Sequence, residues 1–208
     1  MSHPRIRVAE AIGDKIIRQD LPAGRSVGEA ALANEFGLSR TPIREALLGL
    51  ESDGMVRAQR GRGFIVQPMS PAQAREIFPI IATLERLALA SSRPLSPELA
   101  DRLTDLNARM AAADSPHERM KLDASWHRLI VSGCDNSRLV SLLAGLKPTA
   151  LRYEYAYQQV TKLRDQSVPE HDAIVELMTT DPVAAGEAIE AHWLRGMNAV
   201  IRMMEGVE

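Results

Sequence analysis

The 208-residue chain has little of several features that would each point to a definite class of protein. Cys134 is its one cysteine, which excludes an intrachain disulfide and a cysteine-based zinc finger. Aromatic residues make up 4% of the sequence, while alanine and leucine abound, so an all-helical body is favoured over a β-sandwich or barrel. No run approaches the roughly 20 apolar residues of a membrane span, and residues 1–20 show no signal-peptide core. We therefore expect a cytoplasmic protein that has no membrane partner.

Charge is unevenly distributed along the chain, although the net charge is only −2. Residues 1–70 carry ten Lys/Arg against eight Asp/Glu, which is +2, whereas residues 71–208 carry fifteen against nineteen, which is −4. Five arginines fall within 23 residues of one another: Arg40, Arg44, Arg57, Arg60 and Arg62. This local clustering, more than the total, indicates a surface for nucleic acid.

The stretch 37–50 reads Gly-Leu-Ser-Arg-Thr-Pro-Ile-Arg-Glu-Ala-Leu-Leu-Gly-Leu and predicts a tight turn followed by a helix. Ser39 or Thr41 can cap that helix, and Pro42 suits its first turn, where a backbone N–H has no helical partner. Gly54 is expected to end the helix. The apolar residues at helical spacing predict a buried stripe: Ile43, Ala46, Leu47 and Leu50.

Two shorter amphipathic segments precede this helix, at residues 6–17 and 28–36. Three helices with a three-residue turn between the second and the third are typical of a helix-turn-helix. In this arrangement Arg40, Thr41 and Arg44 project from the N-terminal end of the third helix.

After Gly54 the pattern changes to two short β-like runs, 55–59 and 63–67, joined by Arg60-Gly-Arg-Gly. Two strands around a glycine-rich tip predict a hairpin, which after a helix-turn-helix is a wing. Pro68-Met-Ser-Pro71 is predicted to be a linker, because prolines resist both helix and sheet continuation.

From residue 72 onward the sequence predicts only helices, with cap-plus-proline starts at residues 96, 115 and 181 and a kink or split at Pro148. The predicted spans are 72–92, 97–114, 116–133, 136–160, 168–180 and 182–204. The fold class is therefore mainly α: an N-terminal winged helix-turn-helix and a C-terminal all-helical bundle.

The segments 38–47, 53–56 and 60–63 together resemble the GntR family of bacterial transcription regulators. The six-helix remainder is similar to the effector domain of the FCD branch of that family. The resemblance implies a DNA-binding domain at 1–67, a linker at 68–71, and an effector-binding and dimerisation domain at 72–208.

The resemblance also implies a regulator, usually a repressor, that binds a pseudo-palindromic double-stranded DNA operator as a homodimer. The implied DNA contacts are Ser39, Arg40, Thr41 and Arg44 in the major groove, and Arg60, Gly61 and Arg62 near the minor groove. Arginine suits this role because its planar fork matches the O6 and N7 acceptors of guanine. Many relatives carry a DNA-contacting arginine where this chain has Ala30, so the contact set is expected to be smaller than usual.

A second constellation lies in the predicted helical domain. Asp123 and His127 are four residues apart on one helix, so they share a face, and His171 and His192 follow on later helices. In the FCD branch a matching Asp-His-His-His set holds a divalent metal. Imidazoles and a carboxylate suit Zn²⁺ best, with Ni²⁺ and Mn²⁺ as alternatives.

The effector is the least determined feature of the sequence. Acid-binding relatives commonly place an arginine in the first helix of this domain, where this chain has Ile81. Arg152, Tyr153 and Arg195 are candidates to face the cavity instead, and a small carboxylate bound directly to the metal is the favoured ligand. Two alternatives stay open: a purely structural metal, and a metal-dependent hydrolase, for which no His-Glu-x-x-His pattern supplies a general base.

Overall fold

A computed structural model describes residues 4–61, 63–92, 95–158 and 161–206. The architecture is mainly helical, as the composition predicts. The chain divides into two compact units, Met1–Met69 and Ser70–Glu208. Among the described residues, no helix is both long enough and apolar enough to cross a bilayer.

The first unit combines helices with a small antiparallel sheet. Its helices are α1 (Pro4–Ile17), α2 (Glu29–Phe36) and α3 (Arg40–Ser52). Its strands are β1 (Ser26–Val27), β2 (Val56–Gln59) and β3 (Gly63–Val66), in the order β1-β3-β2. The β2–β3 hairpin confirms the predicted wing. The sequence does not predict β1, because two residues are too few to show alternation and the strand exists only through its pairing with β3.

The turn between α2 and α3 depends on Gly37, which takes a φ of +64° that other residues adopt only with strain. Ser39 then occupies the N-cap position of α3, but its hydroxyl makes no capping hydrogen bond. The predicted stripe on α3 is confirmed, because all four of its apolar residues are at most 4% exposed. Burial of this stripe therefore positions the helix without help from the Ser39 hydroxyl.

The end of α3 is a Schellman-type cap. Gly54 has a φ of +71°, and its N–H donates to the carbonyl of Glu51. The N–H of Met55 reaches back to the carbonyl of Leu50 at 2.9 Å. This geometry confirms that Gly54 stops the helix, and it turns the chain directly into β2.

The second unit contains six α-helices among its described residues. They are α4 (Pro71–Ala90), α5 (Pro97–Ala112), α6 (Pro116–Ile130), α7 (Ser137–Gln158), α8 (Thr161–Thr180) and α9 (Pro182–Glu205), with a 3₁₀ turn at Val131–Gly133. Four of these helices begin with a side-chain cap followed by proline. The capping residues are Ser70, Ser96, Ser115 and Asp181. Because Ser70 caps α4, that helix begins at Pro71, inside the segment predicted as linker.

One other prediction on helix boundaries is wrong. Helix α8 begins at Thr161 and continues through Pro169, whereas the sequence predicts a start at residue 168. Asn107 on α5 donates to the carbonyl of Val168 and to the Asp172 carboxylate, so tertiary contacts hold the helix on both sides of the proline. Helix α7 runs unbroken through Pro148, so the helix is not split there, and a kink at this proline stays a prediction.

Candidate nucleic-acid interface and metal centre

The N-terminal end of α3 presents the side chains that the sequence predicts for reading DNA. Ser39, Arg40, Thr41 and Arg44 are all exposed, while the opposite face of the helix is buried. A helix end of this kind combines free backbone N–H groups with positive charge, which suits the phosphates and guanine edges of DNA.

Arg44 has partners that its sequence position does not reveal. Its Nη1 lies 3.1 Å from Oε1 of Glu29 on α2, and its guanidinium lies 5.8 Å from the ring centre of Phe64 on β3. Its side chain is nevertheless 61% exposed, so these contacts orient the arginine without covering it. Glu29 directly precedes Ala30, the position at which relatives carry an arginine.

The tip of the wing also fits the predicted DNA contacts. Arg60 and Gly61 are exposed, and Gly61 and Gly63 take φ values of +75° and +74°, which form the tight turn. Arg62, the other predicted contact at the tip, lies outside the described residues. The wing therefore offers at least one exposed cation in the same unit as α3.

The three predicted histidine ligands come together in the core of the second unit. His127 on α6, His171 on α8 and His192 on α9 each offer a ring nitrogen, and these atoms lie within 4.8 Å of one another. His127 and His171 are almost fully buried. Three imidazoles at this separation have the donor type and spacing of a divalent transition-metal site.

Asp123 lies beside this cluster, one turn before His127 on α6. Its carboxylate oxygens are 3.8 Å from Nε2 of His127 and 3.7 Å from Nε2 of His171. Both distances exceed a hydrogen bond, so the carboxylate approaches the imidazoles without bonding to them. A cation between these groups would be coordinated by nitrogen and oxygen donors together.

Two carboxylates that lie outside the histidine cluster, called the outer carboxylates below, orient two of the three imidazoles. Nδ1 of His127 lies 2.8 Å from Oε2 of Glu85, and Nδ1 of His192 lies 2.6 Å from Oε2 of Glu170. These bonds put the ring proton on Nδ1 and leave the Nε2 lone pair available to a metal. Glu85 continues the apolar stripe of α4, so the sequence could have indicated that it is buried. The sequence does not indicate that His127 is its partner.

Glu85 is fully buried and bonded on several sides. Its Oε2 also accepts a hydrogen bond from Nε1 of Trp193, and Nζ of Lys147 lies 2.7 Å from its Oε1. Burial raises the pKa of this carboxyl, but His127 and Lys147 outweigh that effect and lower the pKa to about 2. The outer carboxylate is therefore ionised at any physiological pH.

His171 has the least conventional environment of the three histidines. Its ring stacks on Trp126 with centroids 3.7 Å apart and planes 4° from parallel, so the tryptophan is a core residue that also holds the imidazole flat. Neither ring nitrogen of His171 has a hydrogen-bond partner among the described residues. Burial, reinforced by the nearby His192 and His127, holds its pKa well below the usual 6.5. The ring is thus neutral and ready to bind a metal at pH 7.

A cavity with about 40 Å³ of free space adjoins the histidines, lined by residues of α4, α6, α7, α8 and α9. Arg195, one of the three residues predicted to face an effector, lines it, and its Nε donates to Glu170. The other two are not among the described lining residues. Arg152 is buried elsewhere in α7, and the Tyr153 hydroxyl bonds to Ser70 and Gln73 at the start of α4.

Glu154 also lines the cavity, and sequence reasoning does not single it out. It is buried, and burial raises its pKa to about 8. The folded state therefore holds a proton there that the unfolded chain releases near the ordinary value of 4.5. It follows that Glu154 lowers stability progressively as the pH rises from 4.5 to about 8.

Replacement of Glu154 by glutamine, which stays uncharged, should consequently raise the melting temperature of the metal-free protein. We expect little gain at pH 5 and a gain of at least about 3 °C at pH 8.5, measured by calorimetry. Glu187→Gln on the exposed surface of α9 is the control. An equal gain at both pH values would contradict this assignment.

Family models match both units of the chain. Residues 4–66 match the model described as bacterial regulatory proteins, gntR family, and residues 76–195 match the FCD domain.

The chain is also similar to curated relatives in sequence and to a solved structure in fold. The chain is 35% identical over 108 residues to an uncharacterized HTH-type transcriptional regulator in the TAR-I ttuE-ttuC' intergenic region of Agrobacterium vitis, covering 50% of this chain and 63% of that protein. It is 25% identical over 189 residues to the gluconate operon transcriptional repressor of Bacillus subtilis, covering 84% and 75%. It shares its fold with E. coli McbR/YncC, at a TM-score of 0.85 and 18% identity, covering 98% and 100%.

Proposed function

Since this chain belongs to the GntR family of bacterial regulatory proteins and carries an FCD domain, it is a transcription regulator, and we propose that it is a repressor controlled by a small organic acid. In this proposal it acts in the cytoplasm as a homodimer on a pseudo-palindromic operator. The DNA-binding domain comprises residues 1–67, and residues 68–71 link it to the second domain. This second domain, residues 72–208, forms the dimer and binds the effector. Family membership assigns regulation rather than hydrolysis to the chain.

DNA reading in this proposal rests on the exposed end of α3. Arg40 and Arg44 would contact base edges in the major groove, while Ser39 and Thr41 suit phosphates. Arg60, Gly61 and Arg62 at the wing tip would follow the adjacent minor groove. Two copies of α3 in a dimer would read half-sites about one helical turn apart.

The observation that carries the sensing half of the proposal is the buried cluster of His127, His171 and His192, with Asp123 beside it. The fit to a divalent metal is good, because His171 has a neutral ring without a hydrogen-bond partner among the described residues, and because carboxylates orient the other two rings. We propose Zn²⁺, with Ni²⁺ and Mn²⁺ as alternatives. The metal would supply positive charge to bind the oxygens of a carboxylate.

The effector would bind in the adjoining cavity, where Arg195 is the residue that supports the sequence-based expectation. Arg152 and Tyr153, the other two predicted effector contacts, do not line this cavity, and the Tyr153 hydroxyl instead holds the start of α4. Effector binding would change whether the two copies of α3 in the dimer fit successive major grooves.

One test separates this proposal from a purely structural metal that ties α6, α8 and α9 together. Operator duplexes would be selected from random DNA by the metal-loaded protein. The binding of the operator and of the effector acid would then be measured after chelation and again after Zn²⁺ is restored. Effector binding that disappears on chelation and returns with Zn²⁺ supports sensing. A melting temperature that falls on chelation, with acid and operator binding unchanged, would instead support a structural ion.

Replacement of Glu85 by glutamine tests the role of the outer carboxylate. The variant loses the charge that Lys147 pairs with and weakens the orientation of His127, so Zn²⁺ affinity should fall about 10-fold. Competition with a fluorescent chelator measures this affinity. Glu187→Gln on α9 is the control for the loss of one carboxylate, and equal affinities in the two variants would refute the role of Glu85.

A further inference from the structure

One face of α7 presents polar atoms to the cavity beside the histidines. Glu154 and Gln158 are four residues apart on this helix, so they lie one turn from each other on the same face. Both line the cavity, and they are only 9% and 3% exposed.

The oxygens of this pair have no visible partners. Neither carboxyl oxygen of Glu154, nor Oε1 of Gln158, makes a hydrogen bond to any described residue. Folded proteins satisfy the large majority of their buried polar side-chain atoms, so three such oxygens on one cavity wall call for a specific explanation. A bound molecule that hydrogen-bonds to all three provides one.

The same cavity is lined by Asp123, His127 and His192, where the proposed function places the metal and the effector carboxylate. The other charged side chains of the cavity do not favour a second anionic group on the ligand. Arg195 is the one Lys or Arg among the described lining residues, and its Nε already donates to Glu170. The part of the wall formed by Glu154 and Gln158 therefore presents oxygens without partners and no free cation among the described lining residues.

We propose that the effector is a short hydroxy acid, whose carboxylate binds at the histidine cluster and whose hydroxyl, remote from that carboxylate, bonds to Glu154 and Gln158. This inference rests on the proposed function and specifies its ligand. A hydroxyl both donates and accepts, so it satisfies a carboxyl in either protonation state as well as an amide oxygen. A second carboxylate would find no free Lys or Arg among the described lining residues, and an unsubstituted chain would leave all three oxygens unsatisfied.

The test compares matched acids on the full-length, Zn²⁺-loaded protein. Binding is measured by calorimetry for 3-hydroxypropionate, 4-hydroxybutyrate and 5-hydroxypentanoate, each against the unsubstituted acid of the same length. Their hydroxyls lie at the far end of the chain, so any advantage does not come from chelation by a 2-hydroxy group. Succinate and 4-aminobutyrate test a second carboxylate and an ammonium group at the same wall.

We expect at least one hydroxy acid to bind about 10-fold more tightly than its unsubstituted counterpart. Glu154→Met should remove most of that advantage, because methionine has no oxygen to bond to the hydroxyl. Glu154→Gln, which keeps an acceptor oxygen, should retain the preference. Since Glu154→Met removes a buried unsatisfied carboxyl, it should fold at least as stably as the wild type.

Other outcomes would overturn the inference in distinguishable ways. If hydroxylated and plain acids bind equally well, or if succinate or 4-aminobutyrate binds best, the inference fails and the proposed carboxylate effector stands. If no acid binds while Zn²⁺ and operator DNA do, the sensing half of the proposed function fails together with the inference. An unchanged hydroxyl preference in Glu154→Met would refute the role of α7.

Discussion

Zn²⁺ affinity should fall by more than about 100-fold when His171 is replaced by alanine, since outer partners of metal ligands alone account for 10- to 100-fold. The ring of His171 lies close to the other two histidines and to Asp123, and neither of its nitrogens has a hydrogen-bond partner among the described residues. Its ring nitrogens therefore make no hydrogen bond to a described residue that would compete with a metal. Competition with a chelator, followed by metal analysis of the purified protein, measures the loss.

His117→Ala is the matched control for this variant, because it also removes an imidazole from the second unit. His117 lies at the start of α6, edge-on to Tyr155 and outside the histidine cluster. Its loss should leave Zn²⁺ affinity within about twofold of the wild type. If His171→Ala binds Zn²⁺ as tightly as His117→Ala, the cluster is not a metal site.

Operator affinity should fall about 10- to 100-fold when Arg40 or Arg44 is replaced by alanine, and discrimination against altered operators should fall with it. A good bidentate contact from arginine to guanine is worth about 1–3 kcal/mol, which corresponds to this range. Arg44 is expected to give the larger effect, because Glu29 and Phe64 hold its exposed guanidinium in place and less conformational entropy is lost on binding. Gel shift across several salt concentrations measures both effects.

Arg102→Ala is the control for removal of one positive charge. This exposed arginine lies on α5 in the second unit, so its loss should leave specific DNA binding unaffected. If Arg40→Ala and Arg44→Ala both behave like Arg102→Ala, α3 is not the helix that reads DNA. A uniform loss of affinity across all sequences would instead reassign these arginines to phosphate contacts.

Local sequence signals predict the DNA-binding unit well because each signal is short-range. Gly37, Pro42 and Gly54 determine where α3 begins and ends, and the apolar stripe between them determines which face is buried. The same reasoning succeeds at Ser96, Ser115 and Asp181, where a cap precedes a proline, but it misses the Ser70 cap. It fails at Pro169, where the contacts of Asn107 outweigh a local helix-breaking preference of about 3 kcal/mol.

The candidate metal centre is only half visible in the sequence. The four predicted ligand residues could be listed because their side-chain chemistry is distinctive and because they resemble a family pattern. Their outer partners could not, since Glu85 lies 42 residues before His127, and Glu170 lies 22 residues before His192. No periodicity relates residues that far apart; only the tertiary structure brings α4 next to α6 at the first pair and α8 next to α9 at the second.

By itself, the sequence determined the class of the protein, the winged helix-turn-helix with its exposed arginines, and the identity of the candidate ligand residues. These properties depend on neighbours within a few turns of chain and on side-chain chemistry. The tertiary structure alone decided that the three imidazoles meet, that Glu85 and Glu170 orient two of them, and that Trp126 stacks on the third. It also decided that Glu154 and Gln158 face the same cavity. Such contacts arise from helix packing, which joins residues with no local relation in the chain.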